Sequence, residues 1–165
     1  MKKLLFGLVA AVTLAGPASA SAQVVVGPTV LYHDNVDFGV GAFVMFPLEQ
    51  FDPNLGMNVN FGYYFPDAPT GVDANFWELN ADVLYHFPVA ADAPVSPFAL
   101  GGLNIARASG GVGGFTASNT EIGINLGGGI EFPSDSFRPL VGAKIELEGG
   151  DGFVLFGGLG FPVGS

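Results

Sequence analysis

"LGMNVNFGYY", residues 55–64, alternates without a break. Leu55, Met57, Val59, Phe61 and Tyr63 fall on one side, and Gly56, Asn58, Asn60, Gly62 and Tyr64 on the other. A period of two belongs to an extended strand, whose successive side chains point to opposite faces. The stretch is therefore a strand with one bulky apolar face and one face made mainly of glycine and asparagine.

The pattern repeats downstream. "FWELNADVLYHF" sets Trp77, Leu79, Ala81, Val83, Tyr85 and Phe87 against Phe76, Glu78, Asn80, Asp82, Leu84 and His86. "EIGINLGGGIEF" sets Ile122, Ile124, Leu126, Ile130 and Phe132 against Glu121, Gly123, Asn125, Gly127, Gly129 and Glu131. "RPLVGAKIELE" sets Pro139, Val141, Ala143, Ile145 and Leu147 against Arg138, Leu140, Gly142, Lys144, Glu146 and Glu148. Weaker versions at residues 24–33, 38–46, 97–106 and 152–161 bring the expected strands to eight. Segments rich in Gly, Pro, Asp, Asn and Ser separate them, among them "HDNVD", "PDAPTGVDAN", "ASGGVGGFTASNT" and "PSDS", which predicts an antiparallel meander. No linker or shift of composition interrupts residues 23–165, so they form one domain.

Alternation alone does not say which face meets solvent. The polar faces here are small and sparsely charged, unlike a soluble surface, while the apolar faces are bulky and uncharged. Charged residues make up only 12% of the chain, about half the ~25% usual for soluble domains. In a bilayer every backbone polar group must be paired internally, so strands span only as a closed barrel. Eight strands of ~10 tilted residues satisfy that requirement. The fold class expected is all-β: an eight-stranded antiparallel up-and-down transmembrane barrel, with its apolar faces toward lipid.

Five Phe-Pro pairs fit this reading. Phe46, Phe87, Phe132 and Phe161 end the second, fourth, sixth and eighth strands, all on the apolar parity, and each is followed by proline. They would therefore lie at one interface as an aromatic girdle, with proline stopping each strand because it lacks the ladder N–H. Phe65 shares the parity and joins the girdle set.

The chain opens "MKKLLFGLVAAVTLAGPASASAQ": two lysines, a short apolar run and then alternating small residues. This is the form of a secretory signal, expected over residues 1–22; the run is too short for a spanning helix, which needs ~20 apolar residues. The formal net charge of −10 becomes −12 once Lys2 and Lys3 are removed, leaving Arg107, Arg138 and Lys144 as the bases against 15 acids. Nucleic acid is excluded as a partner by that balance. There is no cysteine, so no disulfide holds the fold.

In its signal-like start, its eight alternating segments and its glycine-rich last segment "GFVLFGGLGFPVG", the chain resembles the small eight-stranded outer-membrane barrels of Gram-negative bacteria, the OmpX and OmpA-barrel type. The resemblance implies export through the Sec pathway, insertion by the barrel-assembly machinery, and outer-membrane lipid and lipopolysaccharide as surroundings. A monomer is expected.

Inward charges are the most informative polar set. If "PSDS" closes a tight hairpin, positions summing to 269 face each other, pairing Glu131 with Arg138 and Asn125 with Lys144. With Glu78, Asp82 and Glu146 these residues form the expected interior polar network, either a structural plug or a small gated pore. The same register puts Glu121 opposite Glu148, near Glu146 and Asp151, a solvated acidic rim or a divalent-cation site.

Barrel-shaped lipid A palmitoyltransferase and deacylase enzymes use His with Ser and an acid near the outer rim, and His33, Asp34, Ser109 and Ser118 lie near that end here. No spacing matches a nucleophile motif, however, and "GGVGG" reads as a flexible loop because no helix follows it. His86 reads as a lumen filler. No enzyme activity and no cofactor are expected. The function expected is structural or interactive, through envelope integrity, lipopolysaccharide contact or loops such as residues 107–120. A narrow channel for small solutes is the first alternative, and a soluble barrel binding an apolar ligand the second.

Overall fold

A computed structural model describes residues 23–90, 92–113, 115–134, 136–148 and 152–164. The signal expected over residues 1–22, and Asp151, lie outside these residues. Eight strands run in order: β1 (Val24–His33), β2 (Asp37–Pro47), β3 (Leu55–Tyr64), β4 (Val72–His86), β5 (Ser96–Val112), β6 (Phe115–Glu131), β7 (Arg138–Leu147) and β8 (Gly152–Val163). Each pairs antiparallel with the next, and β1 pairs with β8 from Val24↔Val163 to His33↔Val154. The barrel is closed. Within the closed ring no strand edge is left to seek a partner, which is the condition for a sheet to sit in hydrocarbon; residues 72–75 of β4 and 115–123 of β6 extend past their β3 and β7 partners.

The faces divide as the alternation demands. Leu79, Val83, Leu103, Ile124, Leu126 and Ile145 point outward and are exposed, while Asn60, Asn80, Asn104 and Asn125 are buried inside. An apolar belt of this extent far exceeds the few hundred Å² that a soluble monomer tolerates. Hydrocarbon removes that cost, at roughly 25 cal/mol per Å² of apolar surface taken from water.

The lumen is packed in layers. Toward the rim opposite the chain start, Leu31, Tyr64, Phe76, Ala106 and Val154 pack together, with Val36 against them. Toward the other rim, Val25, Phe43 and Leu140 form a second cluster, and Leu84, Phe98 and Leu100 a third. Large side chains fit a narrow barrel only beside small ones. A Cβ on Gly158 would stand 2.7 Å from the Phe43 ring, so glycine at 158 makes room for that ring.

Three local expectations are corrected. The segment 107–120, read as a flexible loop, is instead a continuation of the barrel: β5 and β6 stay paired to Val112↔Phe115, and the tight turn starts at Gly113 with φ 59°. A left-handed glycine is what a two-residue hairpin requires.

The β6–β7 register sums to 271, placing Glu131 opposite Leu140 and Asn125 opposite Glu146. Pro133 has no N–H with which to close the tighter turn. The turn is centred one residue later, where Ser134 Oγ donates to the Phe137 carbonyl at 2.7 Å. Faces survive this shift, but every partner moves by two residues. Glu121 consequently faces Ala106 of β5 and lies beyond the end of the β6–β7 ladder, not opposite Glu148.

Proline also does not end every strand. Pro47 is the last residue of β2, but Pro162 pairs with Val25 and β8 runs past it to Val163.

Candidate functional site

The middle of the lumen is polar. Glu78, Asn80 and Asp82 descend one face of β4 at a period of two; Asn104 comes from β5, Asn125 from β6, and Lys144 and Glu146 from β7. All are buried. Closure of the barrel brings strands three apart in order to face each other across the axis.

Asn80 is the hub. Its Oδ1 accepts from Lys144 Nζ at 2.7 Å and from Asn125 Nδ2 at 2.9 Å, while its Nδ2 donates to Glu78 Oε2 at 3.4 Å. Asn125 Nδ2 also donates to Asp82 Oδ1 at 2.8 Å, and Asn104 Nδ2 donates to Asn125 Oδ1 at 2.9 Å. Lys144 is ion-paired with Glu146 and lies 3.8 Å from Glu78 Oε2. Fully buried charges persist only when paired and hydrogen-bonded, so this layer behaves as a unit.

His33, at the end of β1, points into the same layer and is fully buried. Its Nε2 lies 3.8 Å from Glu146 Oε2. On the other side of the ring, Nδ1 accepts the Asn35 backbone N–H at 3.1 Å and lies 3.4 Å from Asp34 Oδ1. Tyr64 and Phe76 flank the imidazole edge-on, at 5.9 and 5.8 Å between ring centres. The Tyr64 hydroxyl donates to Glu78 Oε2 at 3.2 Å.

Of the seven interior residues expected from sequence, Glu78, Asp82, Asn125, Lys144 and Glu146 meet in this layer. Glu131 and Arg138 do not. They form a second group at the rim where the chain starts, with Arg138 Nη1 3.6 Å and His86 Nε2 3.5 Å from the Glu131 carboxylate. That group lines an open vestibule of about 360 Å³, with Glu49, Phe46 and Pro47 on its wall. Above the vestibule, the cavity left between Phe43, Leu84, Lys144 and Phe156 is about 30 Å³.

Sequence reasoning left His33, Asn80, Asn104 and Tyr64 out of the network. Asn80 carried a usable signal, since it stands between Glu78 and Asp82 on one face. Sequence position alone groups His33 and Asp34 with Ser109 and Ser118, but His33 turns into the lumen from β1, whereas those serines pair with each other across β5 and β6. Ser118 Oγ accepts from Arg107 Nη2 at 3.0 Å.

The girdle residues divide between the rims. Phe87, Phe132 and Phe161 are exposed and Phe46 is half-buried, all at the rim where the chain starts; Phe65 is exposed at the other rim, 5.4 Å from the Tyr63 ring.

The sequence matches the family profile described as the outer membrane protein beta-barrel domain over residues 4–137. The chain belongs to that family. Among solved structures, this outer-membrane barrel is similar to the N-terminal β-barrel domain of Pseudomonas aeruginosa OprF (TM-score 0.69, 14% identity, 86% of this chain and 97% of that one). It is likewise similar to the Neisserial surface protein NspA (TM-score 0.66, 17% identity, 86% and 97%). A third similar structure is Ail, the attachment invasion locus protein of Yersinia pestis (TM-score 0.62, 17% identity, 86% and 95%). No curated protein matches the chain in sequence. Identities this low carry the fold alone, and with the family they place the barrel in the outer membrane.

Proposed function

We propose that this outer-membrane barrel is a passive scaffold, structural or interactive in role. It stabilises the envelope and contacts lipopolysaccharide or a partner through the rim opposite the chain start. The supporting observation is the filled lumen: the polar layer and the apolar clusters leave a cavity of about 30 Å³, room for about one water. A lumen closed by interlocked side chains favours a scaffold over an open pore.

The extracellular side in this reading is the rim where β4, β5 and β6 run longest, as the longer side of such barrels is extracellular. Arg107 supports lipopolysaccharide contact. It is exposed, shares the outward parity of Leu103 and Ile105, and pairs across strands with Trp77. Among the described residues it is the lone outward cation above the apolar belt, placed for a lipid phosphate. The barrel inserts through the assembly machinery, works as a monomer and carries no enzymatic activity.

Conductance in planar bilayers tests the scaffold. The folded protein is expected to give no resolved current steps, and stable steps from the wild type would overturn this reading. They would favour a narrow channel, the second reading, which the charged vestibule at His86, Glu131 and Arg138 supports.

A further inference from the structure

Among the described residues, the polar layer holds three buried carboxylates, Glu78, Asp82 and Glu146, against one buried ammonium, Lys144. With all four ionised, two negative charges are left over in a region shielded from water. The imbalance coincides with unsatisfied atoms. His33 Nε2, Glu78 Oε1 and Glu146 Oε2 are buried without a hydrogen-bond partner, while Glu146 Oε1 meets the Lys144 ammonium as an ion pair. Ligand atoms of His33, Glu78 and Glu146 all lie within 4.8 Å of one another.

We infer that His33, Glu78 and Glu146 form a binding site inside the barrel for one divalent transition ion of the zinc class. Two surplus negative charges match one divalent cation. One imidazole nitrogen and two carboxylates suit zinc better than calcium or magnesium, which take oxygen ligands throughout. A tetrahedral ion bound at about 2.1 Å holds its ligands roughly 3.4 Å apart, so side-chain adjustments of about an ångström close the site.

The surroundings assist. Tyr64 occupies Glu78 Oε2 and leaves Oε1 for the metal. With Nε2 ligating, Nδ1 carries the ring proton and turns from the Asn35 N–H to Asp34 Oδ1, 3.4 Å away. A carboxylate behind the ligating histidine is the usual support for such a ligand. Lys144 keeps its Asn80 partner when the ion displaces it from Glu146.

Because Tyr64 and Phe76 enclose the imidazole, the ion is loaded during folding. The test refolds the untagged barrel in detergent with excess Zn²⁺ or Co²⁺, passes it over chelating resin and measures metal per barrel. One equivalent is expected, with visible Co²⁺ absorption of low-symmetry coordination. His33→Gln and Glu146→Gln lose the stoichiometric metal, whereas Glu131→Gln, in the vestibule, keeps it. Asp34→Asn binds roughly tenfold more weakly. Lys144→Met, which removes the competing cation, binds at least about tenfold more tightly; a purely ion-paired plug would show no such gain. Wild-type barrel that retains no metal, or His33→Gln that retains as much as wild type, overturns the site. Should the variants fail to fold, the wild-type Co²⁺ spectrum decides, and a colourless protein overturns it.

Discussion

Lys144 on β7 donates to the side chain of Asn80 on β4 at 2.7 Å, joining residues 64 apart in sequence across the axis of the barrel. The bond links opposite walls, and Asn80 passes it on to Glu78 and Asn125. Interior charge thereby becomes a device that ties the cylinder together at mid-height, where a soluble protein would place its apolar core. The aromatic and aliphatic clusters above and below shield that layer and raise both its internal strength and the cost of breaking it.

Removing the cation should be the most damaging single change in the lumen. Lys144→Met in EDTA leaves Glu78, Asp82 and Glu146 buried without a positive partner, at an expected cost of about 3–5 kcal/mol. Adding Glu146→Gln should recover part of that loss. Reversible urea unfolding in lipid vesicles measures both, and equal stabilities for single and double variants would count against a shared charge network.

Asn80→Ala should cost more than Asn58→Ala. The former strips the acceptor from Lys144 and Asn125 together, at about 1–3 kcal/mol for each donor left unsatisfied, whereas Asn58 is only half-buried. The same unfolding assay ranks them.

Gly158→Val should destabilise the barrel by about 1–3 kcal/mol, because the added carbons meet the Phe43 ring. Combining it with Phe43→Ala should cost less than the sum of the two single changes. A double-mutant cycle reads the coupling, and strict additivity would argue against the contact.

Charge on the outer wall should be penalised by depth. Ile124→Arg and Leu79→Arg, both outward and exposed, are expected to cost about 2–4 kcal/mol near the bilayer midplane. Phe115→Arg should be close to neutral, since Phe115 is 86% exposed at the tip of the β5–β6 hairpin. Folding free energies in bilayers supply the comparison; in detergent-free water the ranking has no meaning, because the belt then has no lipid.

Asp37 starts β2 with φ 98°, a backbone region that suits glycine. Asp37→Val should therefore cost about 1–3 kcal/mol, while Asp37→Gly is tolerated. Thermal unfolding followed by the gel mobility of the folded and heated forms distinguishes them.

The eight strands, their meander, and the side of each strand that meets lipid were legible in residues such as 55–64 and 76–87, because a pleated strand converts odd and even positions directly into two faces. That property is local, so sequence sufficed. The length of the β5–β6 hairpin was not legible: glycine and serine around Gly110 and Ser118 read as loop by composition, whereas pairing with the neighbouring strand carries them to Val112↔Phe115.

Which inward residues touch was decided only by the tertiary structure. Period two assigns a side chain to the lumen but gives no height along the axis; height follows from the turn of every hairpin and from the register at which β1 closes on β8. A turn centred one residue later moved Asn125 from Lys144 to Glu146. Closure brought His33, from the opposite end of the chain, against Glu146.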